Sequence, residues 1–247
     1  MIASDLSTDG AVAFRTLVAP ERGLSAVAVR HRAAVALAIG TAVSLATAAV
    51  VLPRVEHGSE PIASERDPDD PEPTPYEREQ AAATAHKLGQ IRGWAGAALL
   101  PAALAAAAAG FLFVGFRVAG TRPGYRATLA VTAHGMLPSW VSGLLTIPAA
   151  IAHAPVPARE VPRLLPSTLA ALLPPGAPPP LAAFLGAFDL FTAWALALVV
   201  LGMARISGAS RTRAAVTTLV LFLAYIALLR VVPAAMGSGP GPGAAPR

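Results

Sequence analysis

No cysteine occurs among the 247 residues, which excludes disulfides, thiolate metal sites, a thiol nucleophile and S-acylation, and leaves the redox compartment undetermined. Lysine is nearly absent as well: of 19 basic residues only Lys87 is one. With the abundant Ala, Pro and Gly, this reads as the codon bias of a GC-rich genome rather than as a function. Charge of either sign is scarce, at 13% of residues where a soluble domain carries about 25%. So few charges do not cover a water-exposed surface. The G-x-S-x-G, H-E-x-x-H, G-x-x-x-x-G-K-S/T and G-x-G-x-x-G motifs are missing too, and no Ser stands near a His as a dyad in sequence, which lowers the expectation of catalysis.

What is present is apolar. Hydrophobic residues make up 55% of the chain and mean hydropathy is +0.58. They collect in runs of twenty or more, about the ~20 residues that a helix needs to cross the hydrocarbon core. The formal charge of +5 and the pI near 10.6 do not point to nucleic acid. The arginines sit at the ends of apolar runs, not in a basic stripe with interleaved aromatics, and read as topology signals.

The first apolar run, residues 33–52, is entered through Arg30, His31 and Arg32 and closed by Pro53 and Arg54. A cleaved signal peptide is the competing reading, since Ala46 and Ala48 form a small-x-small site, but a 32-residue lead-in and so long an apolar stretch fit it poorly. Residues 53–92 form a polar excursion with nine acids and six prolines, which predicts an irregular centre. Within it Thr74, Pro75 and Glu77 read as a capping box with proline at the first helical position, so a helix is expected over 75–92. Spans two and three are placed at 93–116 and 127–152, with Pro101, Pro138 and Pro148 tolerated as kinks where neighbouring helices satisfy the freed carbonyls. Nine prolines between 153 and 183 exclude a continuous helix there and leave short interfacial pieces such as 167–173. Span four is expected at 184–204, its start lying between Phe184 and Asp189, and span five at 214–233, with a flexible tail over 234–247. The fold class is an all-α membrane protein, a bundle of about five transmembrane helices in one membrane domain over 15–236.

Two short loops without an acid hold Arg117, Arg122 and Arg126, and Arg205, Arg211 and Arg213. Together with segment 1–32 they carry a net +7, against −2 for segments 53–92, 153–183 and 234–247. The positive-inside rule then places the N-terminus in the cytoplasm and the C-terminus outside, with the chain in the cell (inner or plasma) membrane.

Asp189 is the one acid within or beside an apolar run, in the stretch Phe188-Asp189-Leu190-Phe191-Thr192-Ala193-Trp194. It has two readings. An ionisable group at membrane depth binds a cation or relays a proton; alternatively it caps the fourth span, with Trp194, Phe188 and Phe191 anchoring near the headgroups. His134 lies mid-run in span three, where it titrates or binds a metal, or donates to a carbonyl freed by Pro138. A zinc site wants three or four ligands, and no second one stands near it in sequence. His86 and Glu79 share a face of the 75–92 helix, but two ligands make no site. Arg230, three residues before the end of span five, can snorkel its guanidinium to the headgroups. Small residues recur at spacing four along Gly135, Ser139 and Gly143, and at Gly40 and Ser44, which lets backbones approach within the chain or in a dimer.

The order of these features resembles the Yip (Ypt-interacting protein) domain family. The resemblance rests on Leu17-Val18-Ala19-Pro20-Glu21-Arg22, on Thr121-Arg122-Pro123, and on His134 to Trp140 with its Leu-Pro step. It rests most on Phe188 to Trp194, followed by Gly202 and Ser207-Gly208-Ala209-Ser210-Arg211. It implies five spans, a cytoplasmic N-terminus and no catalytic residue. Eukaryotic members are partners of Rab-type GTPases and of other Yip proteins in vesicle traffic, whereas bacterial members are mostly uncharacterised and sometimes labelled permeases. A short N-terminal segment and a long acidic first loop make this chain similar to the bacterial branch.

The expected function is a non-catalytic membrane scaffold or interaction partner, without cofactor or metal. Its partners would be membrane lipids and other membrane proteins or further copies of itself, not nucleic acid. A small-solute or ion carrier with Asp189 and His134 along a path is the alternative, and an intramembrane enzyme the remote one.

Overall fold

The computed structural model describes residues 2–56, 74–152, 156–157, 167–174 and 176–237. Glu60, Glu65, Asp67, Asp69, Asp70 and Glu72 of the acidic excursion, most of the proline-rich stretch before Ser167 and the end of the tail lie outside the described residues. The regular structure among the described residues is helical apart from two strands of two residues each and one isolated bridge.

Helix formation starts before the first apolar run. Helices α1 (Ile2–Val18) and α2 (Pro20–Arg30) are joined by Ala19 alone. Pro20 bars Ala19 from helical backbone, and Ala19 sits at φ −140°, so α1 must end there while Pro20 opens α2 with Glu21 in its first turn. At the other end His31 takes the left-handed conformation (φ 51°) and donates its N–H to the Val27 carbonyl at 2.9 Å, which stops α2.

The five apolar helices follow, each long and apolar enough to cross a membrane. The first comprises α3 (Ala34–Val51) and a 3-10 turn, Leu52–Arg54, and is followed by strand β1 (Val55–Glu56). The second is α4 (Pro75–Val118), one helix of 44 residues. The separate helix expected at 75–92 therefore runs into span two without a break. At 1.5 Å per residue α4 is roughly 66 Å long, about twice the hydrocarbon thickness, so its polar first half projects beyond the apolar part. Its start carries the capping box: Thr74 N–H donates to Glu77 Oε2 at 2.7 Å and Glu77 N–H donates to Thr74 Oγ1 at 3.3 Å. It ends at Gly120 (φ 80°), where Gly120 N–H donates to Arg117 O and Thr121 N–H to Phe116 O, at 2.9 and 3.0 Å.

The third is broken into α5 (Tyr125–Gly135) and α6 (Leu137–Ala152), with strand β2 (Val156–Pro157) beyond it. Pro138 has no N–H for the His134 carbonyl, and the chain bends at Met136, φ −81° and ψ −7°. The fourth begins at the late edge of the expected range, with Asp189 as its cap. Residues 179–185 form a separate helix, α7 (Pro179–Leu185), and the span itself is α8 (Leu190–Ser207). The fifth runs through α9 (Arg211–Ile226), a π-helical turn (Ala227–Val231) and α10 (Val232–Gly237). It passes Pro233 because that wider turn precedes it. The interfacial piece expected near 167–173 is a 3-10 turn, Leu169–Leu172.

The chain forms two compact units. One comprises residues 1–39, 103–140 and 166–247. Its core joins Val12 and Val27 of the N-terminal hairpin to Leu112 and Phe116 of α4, Ala130 and Val131 of α5, Val199 and Met203 of α8, and Ala214 of α9. The other comprises residues 40–102 and 141–165. Strands β1 and β2 pair there in parallel, Val55 opposite Val156, over a small core of Val51, Val55 and Ala150. Gln90 Nε2 donates to the Leu52 carbonyl at 3.1 Å, and Thr47 Oγ1 to the Gly143 carbonyl at 3.3 Å.

Candidate functional site

Asp189 stands at the entrance of α8 as its N-cap. Its backbone is extended, φ −142° and ψ 174°, and its Oδ1 accepts the Thr192 N–H at 2.6 Å. The charge thus meets one of the four N–H groups that a helix start leaves unpaired, and faces the positive end of the helix. Backbone bonds hold the cap on its other side, since Leu169 N–H donates to the Phe188 carbonyl at 2.9 Å and Thr168 bridges Asp189 antiparallel. The Phe188 ring lies 5.1 Å from Phe184 and meets Phe222 of α9 edge to face at 5.8 Å. Phe191 is half-buried and Trp194 is exposed on the first turns of α8. Arg230 Nη1 donates to the Gly186 carbonyl at 3.4 Å, which ties the π-helical turn to the loop before α8.

His134 is buried, and its Nδ1 bonds the Ala130 carbonyl at 2.8 Å. This corrects the expected partner: the carbonyl that Pro138 cannot serve is that of His134 itself, which accepts the Met136 N–H instead. The structure does not bring His134 and Asp189 together. Gly135 abuts α8 at Ala195 and Val199, which are six and ten residues beyond Asp189, or roughly 9 and 15 Å along the helix. The His134 ring also turns away, toward the preceding turn of α5. Among the described residues no three His, Asp or Glu side chains gather as a metal site. His86 and Glu79 are exposed on α4.

Of the small residues, Gly135 has a clear packing role. A Cβ built there would lie 2.6 Å from Val199 Cγ2, and one built at Gly202 would lie 2.4 Å from Val131 Cγ1. Each helix thus seats its valine in the other's glycine notch, antiparallel and reciprocal. Gly143 accepts the Thr47 bond, but Ser139 is exposed. The break at Met136 takes Ser139 out of the spacing-four register that a straight helix would have kept.

The two arginine loops come together. Arg213 bonds the Ala119 carbonyl, Arg211 pairs with Glu21 of α2 at 2.7 Å, and Arg117 lies 4.5 Å over the Phe113 ring. Arg122, Arg126 and Arg205 are exposed. At the same end sits an ion cluster that sequence reasoning missed. Asp9, only 9% exposed, accepts from Arg30 Nη1 at 3.0 Å and from Arg32 Nη1 at 3.1 Å, one on each carboxylate oxygen. The left-handed turn at His31 lets both flanking arginines reach one carboxylate. Burial raises the Asp9 pKa, but the bonds and charges of Arg32 and Arg30 outweigh it and hold the group below its ordinary 3.8. A sequence signal exists for the hairpin though not for the ion cluster: Val12 and Thr16, then Gly23, Leu24 and Val27, recur at helical spacing and are buried on α1 and α2.

Residues 9–231 match the Yip1 domain. The chain belongs to the Yip1 domain family. With its five apolar helices it is a multi-pass membrane protein. Comparison with curated proteins and with solved structures returns no match. The matched Yip1 domain begins at Asp9 itself, so α1 from that residue onward and all of α2 belong to it. Apart from Gly202, which packs within α8, the residues on which the family resemblance rests fall at joints of the Yip1 domain. Leu17 to Arg22 is the α1–α2 junction, Thr121 to Pro123 the turn after α4, His134 to Trp140 the α5–α6 break, and Phe188 to Trp194 the cap of α8. Ser207 to Arg211 is the α8–α9 turn, where Gly208 takes φ 69° and Ser210 accepts the Arg213 N–H at 3.2 Å.

Proposed function

We propose that this Yip1 domain protein is a non-catalytic scaffold or interaction partner of other membrane proteins. It resides in the cell membrane with its N-terminus in the cytoplasm and its C-terminus outside, in contact with lipids and with partner helices or further copies of itself. The observation that carries this reading is the 2.6 Å bond from Thr192 N–H to Asp189, by which the family's aromatic-Asp stretch serves as a helix cap. Two further features support it. His134 is bonded within its own helix, and at most 28% of any span's most apolar window is buried within the chain, so most lateral surface faces lipid or another protein. The net +7 of segments 1–32, 117–126 and 205–213, whose described residues lie together, supports the orientation.

The test is Asp189→Asn in reconstituted vesicles together with crosslinking in native membranes. Asparagine is also a good cap, so the scaffold reading expects insertion, stability and the crosslinked partners to be retained. Proton or cation flux that is present in the parent and abolished in Asp189→Asn, with the fold intact, would make Asp189 a carrier residue and defeat the proposal.

A further inference from the structure

The inner face of the N-terminal hairpin is buried against α5 and α8, while among the described residues its outer face stays exposed. On α1 from residue 8 onward the exposed positions are Thr8, Ala11, Phe14, Arg15 and Val18, spaced three, four and seven apart on one side of the helix. Phe14 is 64% exposed, Val18 63%, and Val29 of α2 81%. Such apolar side chains in water are disfavoured, whereas beside exposed Arg15, Arg22 and Arg30 they match a helix lying in a lipid interface, where basic groups meet headgroups. Depth argues the same way. The hairpin's buried Val12 and Val27 share a core with Met203 and Val199, four and eight residues before the end of α8, or roughly 6 and 12 Å inside it. An element seated that far down the spans has its outer face at the headgroup and acyl boundary.

We propose that α1 and α2 form an interfacial element whose outer face, Ala11, Phe14, Val18 and Val29, embeds in an anionic lipid leaflet, with Arg15 and Arg22 on its phosphates. The occupant is lipid rather than a second copy, because the exposed charges flanking the patch are mostly of one sign and would repel their own counterparts across a two-fold contact. The inference goes beyond the scaffold reading and does not depend on it.

Since the chain has no cysteine, Ala11→Cys, Val18→Cys and Glu21→Cys can each carry a single spin label in the full protein, in bilayers with and without phosphatidylglycerol. Collision rates with oxygen and with a water-soluble nickel chelate give the depth of each label. Expected in anionic bilayers are oxygen-dominated labels at 11 and 18, roughly 5–10 Å below the phosphates, and a nickel-accessible label at 21. Adding Arg15→Gln and Arg22→Gln should make the depth the same in neutral and anionic bilayers. Nickel-accessible labels at 11 and 18 overturn the proposal. Labels shielded from both reagents also overturn it, since protein then covers the face, and dipolar broadening between labels would identify a second copy.

Discussion

Asp9→Asn should loosen the N-terminal hairpin without disturbing the spans. In the parent each carboxylate oxygen holds one guanidinium, at 3.0 and 3.1 Å. The carboxylate is 12% exposed, but the Arg30 and Arg32 side chains are 39% and 47% exposed. A fully buried pair that loses one partner costs about 3–5 kcal/mol and an exposed pair about 0.2–1. This cluster lies between those limits: the arginines can turn to water, and the asparagine oxygen still accepts one bond. About 1–2 kcal/mol is expected, which raises hairpin opening roughly 5–30-fold. Hydrogen exchange with mass spectrometry reads it directly, as faster exchange of amides in α1 and α2 and unchanged exchange in α5, α8 and α9. The pH dependence has a definite sign. Because the folded-state pKa of Asp9 is lowered, its contribution is complete above the unfolded value near 3.8 and is lost as pH falls through the folded value. Docking should therefore be flat over roughly pH 5–8 and weaken in stronger acid, and Asp9→Asn should remove that acid step. Equal protection of the hairpin in parent and variant, or loosening spread over all the spans, would refute the reasoning.

Asp189→Ala removes the cap and should lower thermal stability in detergent by about 0.5–2 kcal/mol, while Asp189→Asn stays near the parent; equal loss in both would mean that charge rather than capping matters. Gly202→Ala drives a methyl into Val131 and should cost about 1–3 kcal/mol. Adding Val131→Ala should recover part of that loss in a double-mutant cycle, and strict additivity would deny the notch. Single cysteines at Arg122→Cys and Gln80→Cys, both at exposed positions, should react with an impermeant maleimide from opposite sides of the membrane. Labelling from one side would overturn the orientation.

The five spans were legible because length and hydropathy act locally, and the joints because Pro, Gly, Thr and Asp have strong local preferences: the Thr74 box and the Asp189 cap formed where those residues stand. The start of the fourth span is legible only as a range, Phe184 to Asp189, because residues 184–188 are apolar and satisfy hydropathy. What ends α7 is Gly186 and the backbone pairing of Phe188 and Asp189 with residues 168–169, a contact from outside the window. The break at Met136 was expected as a kink, but its effect on Ser139 depends on a change of rotation that periodicity does not register. The hairpin was overlooked since its charges were weighed for topology while its buried stripe, interrupted by Asp9 and Thr16, was not. The Asp9 partners are 21 and 23 residues away, and no local pattern links them.

The hairpin also sets an order of assembly. It is synthesised well ahead of its seat on α8, at Val199 and Met203, which is made roughly 180 residues later, about 9–36 s at 5–20 residues per second. Until then Val12, Leu24 and Val27 have no finished site, and Glu21 awaits Arg211, 190 positions further on. A segment made before all five spans is therefore fixed only after the fourth, and its docking marks the completion of that span.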